Sequence, residues 1–250
     1  MPNLKSTFIQ KTQGLLGKAV RDYDLVNNGD RLAVAVSGGK DSLALLYMLK
    51  KRLDWIPIRY ELIAVHLDMG FEGTSPLEIE KFCLKMEIPF YFEKTDYGIK
   101  AHGPENKENP CFLCAWLRRK HLFQLSEKLH FNKIALGHNK DDLIETLFLN
   151  MFYSGEISTM VPKQSLFNNR LTIVRPLCLL DEKTIKSFAR QLHLPEIINP
   201  CPSAGKSSRK FIKDLLTTLY ERNRKIKGNI FHALSHVRPE YLLPTASKSP

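Results

Sequence analysis

The sequence predicts an α/β fold in which a parallel five-stranded sheet is sandwiched by helices. The main observation is that apolar runs of strand length alternate along the chain with stretches of helical periodicity. The composition, 43% hydrophobic and 25% charged, is that of an ordinary globular domain. A chain of 250 residues can form one such domain with some added helices.

The strands and helices are predicted from the period of the apolar residues. Short apolar runs predict strands at residues 31–36, 61–67, 88–94, 132–138 and 170–176. Helical periodicity is found at residues 41–53, 76–86, 111–129, 141–155 and 181–193. Between two of these elements, the polar Gly/Pro/Asn segment 94–110 predicts a loop long enough to be functional or mobile.

The chain is expected to have three parts. Residues 1–28 predict an amphipathic N-terminal helix, and residues 29–198 contain the alternating strands and helices of the α/β domain. Residues 199–250 contain no strand pattern and predict a cysteine-bearing loop followed by basic helices, a C-terminal helical appendage.

Charge and hydropathy indicate the compartment and the class of partner. No stretch approaches the roughly 18 apolar residues of a membrane helix, and the N-terminus has no continuous apolar signal region. A cytoplasmic protein with no membrane partner is therefore expected. The net charge of +11, with eight Lys and Arg against two acids in residues 206–227, favours a polyanionic partner such as RNA. A solvated basic surface is the alternative.

Residues 37–42 read SGGKDS between a strand run and a helical run. The spacing fits neither a Walker-type loop nor a dinucleotide-binding GxGxxG. Small residues let backbone amides close on an anion at a helix N-terminus. Ser37 and Ser42 add hydroxyl donors and Lys40 adds a cation, while Asp41 suits Mg²⁺ bridging to phosphates. The pattern predicts a magnesium–nucleotide site at the sheet edge, with a ligand-free turn as the alternative.

SGGKDS resembles the signature of the PP-loop ATP pyrophosphatases. The resemblance implies a sheet of the nucleotide α-hydrolase type and cleavage of ATP between its α and β phosphates, and it makes residues 29–198 the PP-loop domain. The residues that would hold the pyrophosphate are Ser37, Gly38, Gly39, Lys40, Asp41 and Ser42.

Cys111 and Cys114 are spaced so that two thiolates can reach one metal or cluster at a loop-to-helix junction. Arg118 and Arg119, one turn later, are expected to lower the thiol pKa values. The pair alone leaves zinc, a redox dithiol, an iron–sulfur cluster and chance core cysteines open.

Cys201 lies between prolines ahead of a helix and is the third candidate ligand, whereas Cys83 and Cys178 fall on apolar positions and are expected in the core. A [4Fe-4S] cluster normally takes four thiolates, so three would leave one iron open to an exogenous sulfur.

CxxC, the later lone cysteine and SGGKDS together resemble the TtcA-like tRNA 2-thiolation family over nearly the whole chain. The matching segments include CFLCAWLRRK, IALGHNKDDLIETLFLNMFYSG and the tail CP…KFIKDLL. The resemblance implies an ATP-dependent tRNA sulfurtransferase that makes 2-thiocytidine at position 32. Many relatives have a further cysteine at the position of Ala204, so a cluster here would depend on Cys201.

The same resemblance implies roles for individual residues. A [4Fe-4S] cluster would be held by Cys111, Cys114 and Cys201. ATP with Mg²⁺ would be bound by the catalytic residues Lys40, Asp41 and Asp142 and lined by Gly137 and His138. His66 is added to the cofactor-binding residues because it lies at the end of a predicted strand. The sulfur would come from a donor such as a cysteine desulfurase, and a homodimer is left open.

Structural explanations remain for some of these residues. Asp141 and Asp142 open a helix, where aspartate is also favoured as a cap or first-turn residue. His66 and Asp68 end a predicted strand and could lie beside the adenosine, but a satisfied core histidine fits His66 equally well.

Four rival functions or chemistries are left open. A lysidine-synthetase-like ligase would adenylate tRNA cytidine and then use an amine, and a related enzyme would form 2-thiouridine. A zinc-stabilised RNA-binding module would have no catalysis. A persulfide on Cys111 or Cys114 would replace the cluster.

Overall fold

The computed structural model describes residues 4–72, 76–195, 197, 200–203, 205 and 208–243, with side chains from residue 7 onward. Six strands form one sheet in the order β3-β2-β1-β4-β6-β5. They are β1 (Arg31–Ala35), β2 (Glu61–Asp68), β3 (Phe90–Lys94), β4 (Lys133–Ala135), β5 (Lys163–Leu166) and β6 (Leu171–Val174).

Nine α-helices are found in the described residues. They are α1 (Leu4–Asp22), α2 (Lys40–Arg52), α3 (Leu77–Lys85), α4 (Tyr97–His102), α5 (Pro110–Lys128), α6 (Lys140–Leu149), α7 (Glu182–Gln191), α8 (Ser208–Arg222) and α9 (Ile226–Ala233). A π-helical turn, Asn150–Ser154, continues α6, and a 3₁₀ turn spans Pro239–Tyr241.

The five predicted strands are all present and all parallel, which confirms the α/β fold class. The count of five is wrong because β5 adds a sixth strand, antiparallel to β6 at the sheet edge. Its sequence KQSL lacks a buried apolar run. The turn that joins it to β6 uses three consecutive positive-φ residues, Phe167, Asn168 and Asn169.

The predicted loop 94–110 is also partly wrong, because it contains α4. Gly98 in this helix lies so close to Phe71 that an added Cβ would be 2.5 Å from its ring. The helix was not predicted because the segment is rich in polar residues and glycine and the helix has only six residues. It packs against α5.

The sheet is covered on both faces, as predicted. On one face α1, α2 and α7 contribute fully buried side chains, including Leu16, Leu46 and Phe188. On the other face Leu122 and Leu125 of α5 pack on Val65 and Ile134 of the sheet. The main core also contains Cys83 and Cys178, both fully buried.

The C-terminal helices form a smaller cluster of their own, in which Ile212 and Leu216 of α8 pack on Ile144 of α6. Because α6 starts at the carboxyl edge of the sheet, this packing holds α8 next to that edge. The division of the chain at residues 28/29 and 198/199 stays a prediction, and Ala204 lies outside the described residues. Within the described residues, no helix is both long and apolar enough to span a bilayer.

Candidate active site

A cavity of about 580 Å³ lies where the carboxyl ends of β1, β2 and β4 meet. It brings together most of the residues singled out from the sequence. Those that line it are Ser37, Gly39, Lys40, Asp41, Ser42, His66, Gly137, His138, Asp142, Cys114 and Cys201. Gly38 and Cys111 are not among the lining residues.

Hydrogen bonds of Ser37 and Ser42 hold the conformation of the loop after β1. The Ser42 hydroxyl donates to the Gly39 carbonyl at 2.9 Å and lies 3.2 Å from the Ser37 amide, which donates to it. Gly38 has φ +83° and packs on Ile197, whose Cβ would lie 2.9 Å from an added Cβ. The loop therefore turns sharply into α2, whose first-turn amides face the cavity edge.

Gly137 allows the loop after β4 to approach this turn closely. An added Cβ at Gly137 would lie 3.0 Å from the amide nitrogen of Ser42 and 3.1 Å from the carbonyl carbon of Asp41. Both neighbours are backbone atoms at the start of α2, so only glycine fits here without moving the turn at residues 37–42.

Asn139 connects the two loops. Its side-chain oxygen caps α6 by accepting from the amides of Asp141 and Asp142, and the Asp142 carboxylate accepts from its amide in return. Its side-chain amide donates to Asp41 at 2.9 Å. The capping explanation therefore applies to Asp142, which nevertheless also lines the cavity.

The carboxyl groups of Asp41 and Asp142 are largely buried, so their ionisation costs free energy. Burial, followed by the negative charge of Asp142, raises the pKa of Asp41 to about 6. Burial likewise raises the pKa of Asp142, although Arg209, 3.4 Å away, opposes the shift. Neighbouring buried carboxylates of this kind are suited to a divalent cation, which would relieve both penalties.

His138 is held as a neutral ring. Burial, and then the charge of Arg175, lowers its pKa to about 3. Arg175 donates to its Nδ1 at 3.3 Å, so the ring proton is placed on Nε2. His138 can therefore donate one hydrogen bond into the cavity without carrying charge.

His66 is both a satisfied core histidine and a lining residue. Its Nδ1 lies 2.7 Å from the Val36 carbonyl, and its ring stacks on Phe92. Asp68 at the end of β2 accepts from the Gly70 amide at 2.8 Å and also lines the cavity.

Two of the three candidate cysteine ligands reach this cavity. Cys114 and Cys201 line it, while Cys111 is exposed at the first turn of α5, where Asn109 caps the helix by accepting from its amide. Within the described residues, no three His, Cys, Asp or Glu side chains are arranged to hold a metal ion.

Arg118 lowers the pKa of the Cys114 thiol, as expected, but the net pKa is raised. Burial raises its pKa, and the opposing effect of Arg118 is smaller. Cys201 and Cys111 raise it further, so both lie close enough for their charges to act on Cys114. The soft sulfur donors of the three cysteines suit a thiolate-bound centre by their chemistry, and its positive charge would reverse this shift.

His102 was not singled out from the sequence, yet it touches the Cys201 segment. Its Nε2 lies 2.6 Å from the Ser203 hydroxyl and 3.9 Å from the Cys201 sulfur. Its Nδ1 lies 2.9 Å from the Gly98 carbonyl. The only sequence signal was its position in a polar segment, whereas Asn139 could have been found as a helix cap.

A second cavity of about 420 Å³ lies at the opposite, amino-terminal edge of the sheet, between residues such as Arg31, Glu61 and Ile88. It contains none of the predicted site residues. The chemistry-bearing side chains are thus concentrated at the carboxyl edge, as the sheet topology requires.

The sheet order and the SGGKDS turn define a PP-loop protein. Consistent with this, a model of the PP-loop domain matches residues 4–219. An ammonia-dependent NAD synthetase from Campylobacter jejuni shares the fold with a TM-score of 0.50 and 15% identity, covering 98% of this chain and 100% of that one.

Closer relatives narrow the family. The tRNA-cytidine(32) 2-sulfurtransferase of Citrifermentans bemidjiense is 38% identical over 246 residues, covering 97% of this chain and 96% of the relative. A solved structure, the U34-tRNA thiolase NcsA of Methanococcus maripaludis with its [4Fe-4S] cluster, has a TM-score of 0.78 and 26% identity, covering 97% and 82% of the two chains. The chain belongs to the tRNA-cytidine(32) 2-sulfurtransferase family of PP-loop proteins. The resemblance inferred from the motifs is confirmed.

Proposed function

We propose that this protein is an ATP-dependent tRNA sulfurtransferase that converts a cytidine, at position 32 of the anticodon loop, to 2-thiocytidine. One observation carries the proposal. The SGGKDS turn and the thiols of Cys114 and Cys201 line the same cavity. A base placed there can reach both an activating nucleotide and a sulfur centre.

In this proposal the first half-reaction uses the loop. Lys40 and the amides of the α2 turn bind the ATP phosphates. Asp41 and Asp142 would hold Mg²⁺, which would supply positive charge to the phosphates. The cytidine O2 attacks the α-phosphate, the α–β bridging bond breaks, and pyrophosphate leaves against the loop. The base then carries AMP on O2.

The second half-reaction replaces the activated oxygen by sulfur. Cys111, Cys114 and Cys201 would hold a [4Fe-4S] cluster, which when bound supplies an iron site open to an exogenous sulfur. A carbon–sulfur bond forms at C2 and the carbon–oxygen bond breaks, so AMP leaves with the original oxygen.

Cytidine is favoured over uridine because curated relatives covering more than nine-tenths of this chain are named for cytidine. A cysteine desulfurase as sulfur donor and a cytoplasmic location belong to the same proposal. Formation of a homodimer stays a prediction.

The proposal is tested on protein purified without oxygen, as wild type and as Cys201→Ala. Iron, sulfide and the visible spectrum are measured together with 2-thiocytidine formed in unmodified tRNA with ATP and sulfide. Wild type is expected to contain about four iron per chain and to thiolate tRNA, with both properties lost in the variant. Cys83→Ala, which removes a buried thiol outside the cavity, is the matched control and should retain both.

Other outcomes contradict specific parts of the proposal. An iron-free, active wild type with a persulfide on Cys111 or Cys114 would replace the cluster by persulfide chemistry. Full activity of Cys201→Ala with an amine as the second substrate would favour the lysidine-type ligase. A zinc-containing protein that releases no pyrophosphate with tRNA would leave only an RNA-binding module.

A further inference from the structure

The ring of His138 has one hydrogen-bonding group left for a ligand. Its Nδ1 accepts from the Nε of Arg175 at 3.3 Å, so the ring proton lies on Nε2. Among the residues that the structure describes, none forms a hydrogen bond with this Nε2, which is not enclosed by protein atoms. Because His138 lines the large cavity, its Nε2 can donate to a ligand there but cannot accept from one.

Arg175 is fixed in place, so it keeps donating to His138. It is only 6% exposed, and its other guanidinium nitrogens donate to the Val161 carbonyl and to the Gln164 side chain. Its backbone amide donates to the Pro162 carbonyl at 2.8 Å. A guanidinium group stays protonated in proteins and has no acceptor. Strand β5 and the residues before it therefore hold an obligate donor against Nδ1 of the histidine.

His138 is close to where the target base has to react. It directly follows Gly137, at which an added Cβ would lie 3.0 Å from the Ser42 amide of the SGGKDS turn. The thiol-bearing residue Cys114 lines the same cavity. In the proposed reaction the base meets the nucleotide and then the sulfur centre in this cavity. A donor beside the turn can thus contact the edge of the base that carries O2.

Cytidine and uridine differ at N3, the ring atom next to C2. N3 of cytidine has a lone pair and no proton, whereas N3 of uridine carries a proton. When O2 of uridine bonds to the α-phosphorus, the N3–H bond has to break, its electron pair forms the C2=N3 double bond, and the proton needs an acceptor. Nε2 of His138 already carries a proton and cannot take another while Arg175 occupies Nδ1. With cytidine, no proton has to leave N3.

We propose that His138 selects cytidine over uridine by donating its Nε2 proton to N3 of the target base, with Arg175 as the positioning residue that fixes the tautomer. The inference rests on the proposed function and names the residue that determines its base specificity. Uridine would bring a second donor against Nε2, and a site built around one hydrogen bond rejects a substrate that cannot form it. The ATP phosphates have Lys40 and the turn amides, beside which a neutral donor adds little.

The test compares two unmodified tRNA transcripts that differ only in having C or U at position 32. Pyrophosphate release and the 2-thio nucleoside are measured with each, and the two kcat/KM values are divided. The variants are His138→Gln, whose amide can present either a donor or an acceptor, and Arg175→Met, which frees Nδ1 to carry the ring proton. His236→Gln changes an exposed histidine outside the cavity lining and is the control. Thermal melting verifies the folds, and calorimetry measures ATP affinity.

Wild type and His236→Gln should prefer C32 by at least about a hundredfold, and this ratio should fall at least about tenfold in both other variants, with ATP affinity unchanged. Equal losses for the two bases, or a loss of ATP affinity, would assign His138 to a group other than N3 and overturn the inference. Equal use of both transcripts by wild type would also overturn it. Turnover of neither transcript by wild type would contradict the proposed function itself.

A second measurement needs no variant and so does not depend on how the variants fold. A stem-loop RNA with 3-deazacytidine at position 32 replaces the N3 lone pair by a C–H group. Wild type is expected to release pyrophosphate with this RNA at least about tenfold more slowly than with the cytidine RNA. Equal rates would show that no protein donor acts on N3 and would overturn the inference.

Discussion

The carboxyl group of Asp41 shows how a site can be built at the expense of stability. Its pKa is raised to about 6 by burial and by the charge of Asp142, so the folded protein holds this proton more tightly than the unfolded chain does. In the metal-free protein the free energy of unfolding contributed by this group is therefore highest below its ordinary pKa. It falls as the pH rises towards 6 and stays low above that value.

Asp41→Asn should stabilise the metal-free protein at pH 7.5, because the neutral amide carries no ionisation penalty. The gain is expected to be on the order of 1–3 kcal/mol and to shrink towards zero at pH 4, as urea unfolding with a chelator would measure. ATP-dependent pyrophosphate release should be lost. A gain of equal size at both pH values would contradict the assigned cause.

At the scale of the element, the turn between β4 and α6 requires glycine at position 137, because a Cβ there would crowd the start of α2. Gly137→Ala places a Cβ 3.0 Å from the Ser42 amide, and the start of α2 must shift to make room. Overpacking of this kind costs about 1–3 kcal/mol, so ATP affinity measured by calorimetry should fall at least about tenfold. Gly14→Ala in α1, which meets nothing within 4 Å, is the control and should bind ATP normally. Unchanged ATP affinity in Gly137→Ala would show that the turn is not rigid.

The starts of β1 and β4 are tied by a buried ion pair. Lys133 lies 2.7 Å from Asp30, and each side chain is only 7% exposed. Asp30→Ala should lower the free energy of unfolding by about 3–5 kcal/mol, because it leaves a buried ammonium without its counter-charge. Glu61→Ala, which breaks the exposed pair with Arg31, should cost less than about 1 kcal/mol. Chemical denaturation of both variants checks the contrast, and equal losses would contradict it.

Sequence patterns predicted the elements whose residues show a clear period. The parallel strands were found because each lies in an apolar run of strand length, although β3 is only partly buried. Helices α2 and α6 were found because polar loop residues precede apolar helical ones. Strand β5 was missed because its four residues are mostly polar and its pairing is set by a tight turn. Helix α4 was missed because six residues are too short for a period to show.

For the whole molecule, motifs located the site but not the contacts that complete it. The residues of SGGKDS indicated a magnesium–nucleotide site, and the resemblance to the TtcA-like family implied the ATP and sulfur chemistry. The contact of His102 with Cys201 joins residues about a hundred positions apart, and no local pattern encodes it. Likewise, the basic C-terminal segment predicted an RNA surface, whereas several of its cations, including Arg209, Lys213 and Lys227, form ion pairs within the protein.

Those ion pairs predict how the C-terminal helices are held on the domain. The Lys227 ammonium lies 2.6 Å from Asp141 and 2.7 Å from Asp181, and so joins α9 to the starts of α6 and α7. Replacing it with methionine leaves two carboxylates facing each other across a half-buried gap. Because α6 also carries Asp142, loosening α9 is expected to disturb the cavity edge as well.

Lys227→Met should therefore make the connection between α8 and α9, residues 223–225, more sensitive to limited proteolysis and lower the free energy of unfolding by about 1–3 kcal/mol. Lys225→Met, which removes an exposed lysine on the same segment, is the matched control and should behave as wild type. The alternative is that general charge attraction, rather than the Lys227 pair, holds the helices. Raising KCl would then detach them equally in wild type and in both variants. Selective cleavage of Lys227→Met at low salt would instead identify this lysine as the link between the basic tail and the ATP side of the cavity.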